Sequence, residues 1–149
     1  MKKTYKNWLT GLVVCSLLAV TMVVAIPQAE ASDPVVVVNG ERIFPNVNPY
    51  INSRNVTMVE MRSIFEALDC TLDYNSADKT IFVVAPNGGT LLMEIGNRNV
   101  VVDGEWQTMA SPPEVWYNRT LVPLRFISEN LGASVSWNKS TNVISVDTY

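Results

Sequence analysis

The sequence predicts an α+β domain, an antiparallel sheet with two short helices packed on one side, built from two sequence repeats. Three observations lead there. Slid along itself by 63 positions, TMVEMRSIFEALDCTLDYN (residues 57–75) falls on TLVPLRFISENLGASVSWN (residues 120–138). Each copy holds one short stretch of helical periodicity between stretches of strand-like alternation. Asn-Gly and Asp-Gly pairs punctuate the strands, as tight antiparallel hairpins require.

The identities include Thr57/Thr120, Val59/Val122, Arg62/Arg125, Ile64/Ile127, Glu66/Glu129, Leu68/Leu131 and Asn75/Asn138. Two copies are too few for a solenoid, which needs three or more repeats to bury its core. The expectation is therefore one domain over residues 32–149, its repeats covering about 35–85 and 98–147.

The elements follow in order. Residues 1–31 read as a signal peptide: Lys2, Lys3 and Lys6, then an uncharged apolar run over residues 9–26, then Ala29-Glu30-Ala31 as an A-x-A site. Cleavage is expected between Ala31 and Ser32, leaving no membrane span; a retained N-terminal anchor is the alternative. Val35–Val38 before Asn39-Gly40, and residues 100–102 before Asp103-Gly104, read as strand and turn. A proline-containing connection and a helix come next. In the second copy Leu124, Ile127 and Leu131 share a helical face, Pro123 fits the first turn, and Gly132 fits the left-handed stop. In the first copy Met61, Ile64, Phe65 and Leu68 form the face, and Asp69 replaces the stop glycine. Strand, polar turn and strand follow each helix, at residues 71–74 and 80–85 and at residues 134–137 and 143–146. Between the copies, Pro86-Asn87-Gly88-Gly89 turns the chain into a strand over residues 90–95.

Composition narrows the chemistry. The 149 residues include no histidine. That removes Ser-His and Cys-His nucleophile pairs, histidine bases and imidazole metal sites. A net charge of −3 and a pI near 4.9 oppose nucleic-acid binding, which needs a basic footprint. After cleavage one cysteine remains, Cys70, so no intramolecular disulfide forms. An exported chain without a disulfide suits a bacterial envelope.

The run NRTLVPLRFISENLGASVSWN at residues 118–138, with Val-Asn-Gly and a proline region upstream, resembles the copper amine oxidase N-terminal domain-like (stalk) family. The resemblance spans roughly Val35 to Val146, with Glu60 standing where the family's proline would be and Asp69 where its glycine would be. It implies a fold and a secreted or cell-surface setting in Gram-positive bacteria. The oxidase chemistry implied by the name belongs to a separate, larger domain with three copper-ligating histidines and a tyrosine-derived quinone. No catalytic residue, cofactor or metal ligand carries over.

Several residues invite sharper readings. Arg62 and Arg125 each precede a glutamate by four positions, a helical pair worth a few tenths of a kcal/mol; tying helix to neighbouring loop is the favoured role. Trp106, Trp116, Tyr117 and Trp137, with Tyr50 and Tyr74, offer a stacking surface for sugars, but aromatics at strand positions are more often core or cross-strand pairs. Asp69, Asp73 and Asp78 lack the closing Glu of a Ca²⁺ loop and read as a solvated rim. Met58 and Met61 match Leu121 and Leu124, hence core. Cys70 matches Ala133 and reads as a small buried thiol. Glu60 and Glu66 do not share a helical face and make no acid–base pair. The expected function is a secreted, non-enzymatic interaction domain whose partner is an unknown envelope protein or cell-wall component. The alternative is a wall-glycan module using exposed aromatics.

Overall fold

The computed structural model describes residues 33–149, which belong to one compact unit, Ala31–Tyr149. The signal-peptide reading and the Ala31/Ser32 cleavage point lie outside the described residues. Among the described residues no helix is long and apolar enough to cross a membrane.

The first half runs β1 (Val35–Val38), β2 (Glu41–Arg42), β3 (Tyr50–Ile51), β4 (Thr57–Glu60), α1 (Met61–Ala67), β5 (Thr71–Asn75) and β6 (Thr80–Val84). The second runs β7 (Thr90–Glu94), β8 (Asn99–Val102), β9 (Glu105–Thr108), β10 (Glu114–Trp116), β11 (Arg119–Pro123), α2 (Leu124–Asn130), β12 (Ala133–Asn138) and β13 (Val143–Thr148). The fold is α+β with mostly antiparallel pairing, but the strands divide among three sheets rather than forming one. Their orders are β12-β13-β1-β2, β10-β11-β4-β3 and β5-β6-β7-β8-β9. One pairing is parallel, β1 on β13. A parallel pair needs a long crossover, and here the rest of the domain supplies it.

The central sheet joins the halves. β4 and β11 pair antiparallel with Val59 opposite Val122, Leu121 opposite Glu60 and Pro123 opposite Met58. Positions 63 apart therefore exchange places about the Val59–Val122 pair, a self-complementary contact of the kind found at a two-fold interface. Both valines are fully buried, worth about 1.5–3 kcal/mol each by area removed from water. α1 packs on β4, β5 and β11; α2 packs on β11, β12 and β4. Each helix thus touches the strand preceding the other helix. One continuous core results, running from Val36 and Val38 through Ile64, Phe65 and Ile81 to Ile127, Leu131 and Val146.

Local chemistry explains the boundaries. Asn39 and Gly40 have φ of 50° and 82°, Asp103 and Gly104 of 48° and 86°. Positive φ at both central residues is the type I′ hairpin turn that these pairs predict. Pro123 lies one position earlier than the first-turn assignment: it ends β11 and is the N-cap of α2, at φ −65° and ψ 104°. Its ring fixes that φ, and an N-cap has no helical N–H bond to lose. Gly132 ends α2 at φ 86°, and Asp69 ends α1 in the same left-handed region at φ 54°. The aspartate thus performs the glycine's stop, at a conformational cost glycine does not bear.

Candidate functional site

Two grooves flank the central sheet, at positions that correspond under the shift of 63. The larger, about 570 Å³, lies beside α2; the smaller, about 150 Å³, beside α1. On the helix and following strand, Met61, Arg62, Leu72 and Tyr74 of the small groove answer to Leu124, Arg125, Val135 and Trp137 of the large one. On the facing loop, Asn118, Arg119 and Thr120 answer to Asn55, Val56 and Thr57. Glu60 answers to Pro123.

What closes the small groove is an ion pair. Glu60 is only 2% exposed, and its carboxylate lies 3.6 Å from the Arg119 guanidinium. It also accepts hydrogen bonds from the Asn46 backbone N–H at 2.6 Å, from the Asn46 side-chain amide and from the Ser63 hydroxyl. A buried carboxylate is tolerable only with such partners. In the large groove both members are apolar, Pro123 and Val56, so no ion pair forms between those two positions.

The large groove is walled by well-fixed parts. Asn52 Oδ1 accepts the backbone N–H groups of Arg54 (3.0 Å) and Val56 (3.1 Å), and Asn52 N–H donates to the Val56 carbonyl. The Asn52 amide donates to the buried Ser111 hydroxyl at 2.9 Å. Phe126 of α2, Val135 and Trp137 of β12, and Ile144 of β13 give the apolar wall. Val135 and Trp137 alternate along β12 and so share a face; Ile144 pairs directly with Trp137. The Lys139 ammonium sits 5.5 Å from the Trp137 ring centroid. Arg54, Arg125 and Glu129 complete the lining. The volume is within the range of small-ligand sites, about 300–1,000 Å³.

The aromatics meet the cross-strand half of the sequence expectation, with Trp106 opposite Val101, Trp137 opposite Ile144 and Tyr74 opposite Ile81, but not the core half. Trp106, Trp116, Tyr117, Trp137 and Tyr74 are all exposed, Trp106 by 75%, and none belongs to the core. Position is the reason: Trp106 points from the outer face of its sheet beside Val101, whereas Trp137 and Tyr74 share a face with the core residues Ile144 and Ile81 but stand beyond the core's edge. They are also dispersed. Trp116 stacks on Tyr117 (5.8 Å between centroids) and meets Tyr50 edge-on (4.7 Å), and the Tyr50 hydroxyl donates to Glu114. Tyr50 and Trp116 stand on opposite edge strands, so the central sheet is curled enough for its two edges to meet. Trp106 belongs to a different surface. Register places Phe82, Leu92, Val101 and Trp106 in one row across the outer face of the third sheet. Sequence periodicity missed that row because only the register aligns it.

The remaining candidates resolve plainly. Neither Arg62 nor Arg125 ties its helix to a loop through an ion pair; Arg125 pairs along its own helix with Glu129 at 3.3 Å, and both are exposed. Met58 and Met61 are core. Asp69, Asp73 and Asp78 are exposed. Cys70 is half-buried rather than buried, and burial, with the Asp69 charge adding, pushes its thiol up to about 11. A thiol so raised is a poor nucleophile near neutrality.

Residues 37–146 match the family described as the copper amine oxidase N-terminal domain, a non-catalytic accessory domain in those enzymes. The chain belongs to that family. No curated protein and no solved structure matches it. The family's name points to copper, which the residues do not fit. There is no histidine, the described residues contain no group of three His, Cys, Asp or Glu able to hold an ion, and Met58 and Met61 are buried among core side chains.

Proposed function

We propose that the protein is a secreted, non-catalytic interaction domain of the Gram-positive cell envelope, made of two copies of one unit. Its partner is an envelope protein or a wall component, with no role in nucleic-acid binding. The open groove beside α2 carries this reading: a fixed, largely apolar recess that its counterpart beside α1 fills with the chain's own ion pair. The export pattern ending at Ala31 supports the location. The test is a cross-linked pull-down from the native envelope fraction, with N-terminal sequencing of the secreted protein. Specific partners lost on filling the groove, and a first residue of Ser32, support the reading. A first residue of Met1 turns it into an anchored protein, and no groove-dependent partner removes it.

Wall-glycan binding is the second reading, favoured by the exposure of Trp106, Trp116 and Trp137. Retention on purified cell wall that disappears on Trp→Ala substitution would establish it.

A further inference from the structure

We propose that the outer edge of β12, together with the groove beside α2, binds an extended acidic peptide by strand addition. The inference deepens the interaction-domain reading and rests on it.

β12 ends its sheet, with only β13 beside it, so its six residues present an unpaired backbone edge. Proteins usually guard such edges with charge, proline or a bulge. The corresponding edge strand, β5, is guarded: Asp73 stands mid-strand. In β12 the matching position is Ser136, and Ala133-Ser-Val-Ser-Trp-Asn138 contains neither charge nor proline. Lys139 follows β12 directly, so the two edges differ in the mid-strand charge, present in β5 and absent from β12.

The groove lies against that same strand. β12 and β13 contribute lining residues and β1 none. A strand laid along β12 would send alternate side chains to the face shared by Val135 and Trp137, and the others to solvent. Main-chain bonds would supply affinity and the groove specificity, as in strand-addition recognition generally. Charge selects the peptide. Arg54 and Arg125 line the groove and Lys139 stands over Trp137, against one acid, Glu129. Over residues 32–149 the balance is the reverse, eight basic against thirteen acidic residues. A basic spot on an acidic domain attracts a peptide that alternates apolar and acidic residues. The Arg125–Glu129 pair is exposed and weak enough for Arg125 to change partner.

The test uses the protein as secreted and two blocked synthetic peptides, one alternating Val and Glu, the other Val and Lys. Amide shifts are followed by NMR and Trp137 by fluorescence, with Trp137→Phe as the control. The Val/Glu peptide should shift residues 133–138 and the groove lining and weaken as salt rises. Affinity should fall about tenfold or more on Ser136→Asp, which copies β5, and separately on Val56→Arg with Pro123→Glu, which copies the closed groove. Equal binding of the Val/Lys peptide, shifts confined to other surfaces, or no binding overturns the proposal. So does a soluble wall glycan that shifts the same residues when the Val/Glu peptide does not. If the peptide fails while groove-dependent envelope partners persist, strand addition falls and the interaction-domain reading stands.

Discussion

The grooves beside α1 and α2 occupy corresponding positions and differ almost fourfold in volume, about 150 Å³ against 570 Å³. The helices do not make the difference. α1 and α2 have the same length, 63 residues apart, and the strands on either side of them agree to within a residue. The facing loop, residues 52–56 at the large groove against only 117–118 at the small one, and a few side chains do. Glu60 and Arg119 bridge one groove where Pro123 and Val56 leave the other open. The helices also exchange a phenylalanine for a serine. α1 has Ser63 beside the Glu60 carboxylate and Phe65 in the core; α2 has Phe126 in the groove wall and Ser128 buried, its hydroxyl without a hydrogen-bond partner. Leaving a buried hydroxyl unsatisfied costs about 1–3 kcal/mol. The second half thus gives up some stability in the core, and its phenylalanine helps form a recess. The first half fills its groove and satisfies its buried carboxylate; the second leaves a recess and an unsatisfied hydroxyl.

The comparison breaks most sharply if the halves do not share a core. Leu68 and Leu131 hold matching positions and are both buried. Leu→Ala at either should cost about 2–5 kcal/mol, a large fraction of a typical total of about 5–15 kcal/mol. Either change should shift one common unfolding transition, read by calorimetry and far-UV circular dichroism. Two transitions, with only the substituted half moving, would make the halves independent domains.

The next effect tests what closes the small groove. Glu60→Gln weakens the charge-assisted hydrogen bond from Asn46 N–H, a kind worth about 1.5–3 kcal/mol, and removes the ion pair with Arg119. We expect a loss of that order in denaturant unfolding, whereas Pro123→Ala, with no ion pair to lose, costs under about 1 kcal/mol. Glu60→Pro with Arg119→Val should enlarge the α1 groove toward its counterpart, visible as increased binding of an environment-sensitive apolar dye. If Glu60→Gln is neutral, the ion pair does not hold that groove shut.

A smaller effect separates the helix stops. A Cβ added at Gly132 would stand 2.7 Å from the Asn87 amide nitrogen, at φ 86°. Gly132→Asp should therefore lose about 1–2 kcal/mol from the left-handed backbone alone. Asp69→Gly relieves the same strain but enlarges the entropy of the unfolded chain, so it should change stability by less than about 1 kcal/mol. Equal and opposite shifts for the two exchanges would show the stops to be interchangeable.

Much of this was legible in the sequence, and the reason lies in range. The turns at Asn39-Gly40 and Asp103-Gly104, the helices and their left-handed stops depend on neighbours within a few residues, which a linear reading captures. The division into three sheets depends on which distant strands meet. No local pattern announces that β1 joins β13 or that β4 meets β11 about Val59 and Val122. The exposure of the aromatics was hidden for the same reason. Alternation fixes that Trp106 and Val101 share a face, but only the sheet order decides which face is wet. Glu60 was visible as a departure from the proline position. Its meaning required Arg119, 59 residues further on.

The smallest expected effect concerns Cys70, whose counterpart is the buried Ala133. Burial, with the Asp69 charge adding, raises this thiol from an ordinary 9.0 to about 11. Folding therefore favours the protonated form. Below pH 9 both folded and unfolded chains keep the proton, and the thiol contributes no pH dependence. Between about 9 and 11 the unfolded chain ionises first, so stability falls as pH rises, levelling off beyond the folded value. One pKa unit corresponds to about 1.4 kcal/mol, but solvent screens a half-buried group and leaves well under the full two-unit effect. Tyrosines and lysines titrate in the same window, so the quantity to measure is the difference between wild type and Cys70→Ala, by urea unfolding at pH 7.5, 9 and 10.5. The difference should move only slightly between the first two, the unfolded thiol being half ionised at pH 9, and further in favour of the alanine variant, by under about 1.5 kcal/mol, at the third. Alkylation should agree, with the native thiol reacting slowly at pH 7.5 and faster with rising pH up to about 11. A native thiol that reacts as fast as the unfolded chain at pH 7.5 would mean that the end of α1 does not shelter Cys70, and that the first half is looser there than its counterpart at Ala133.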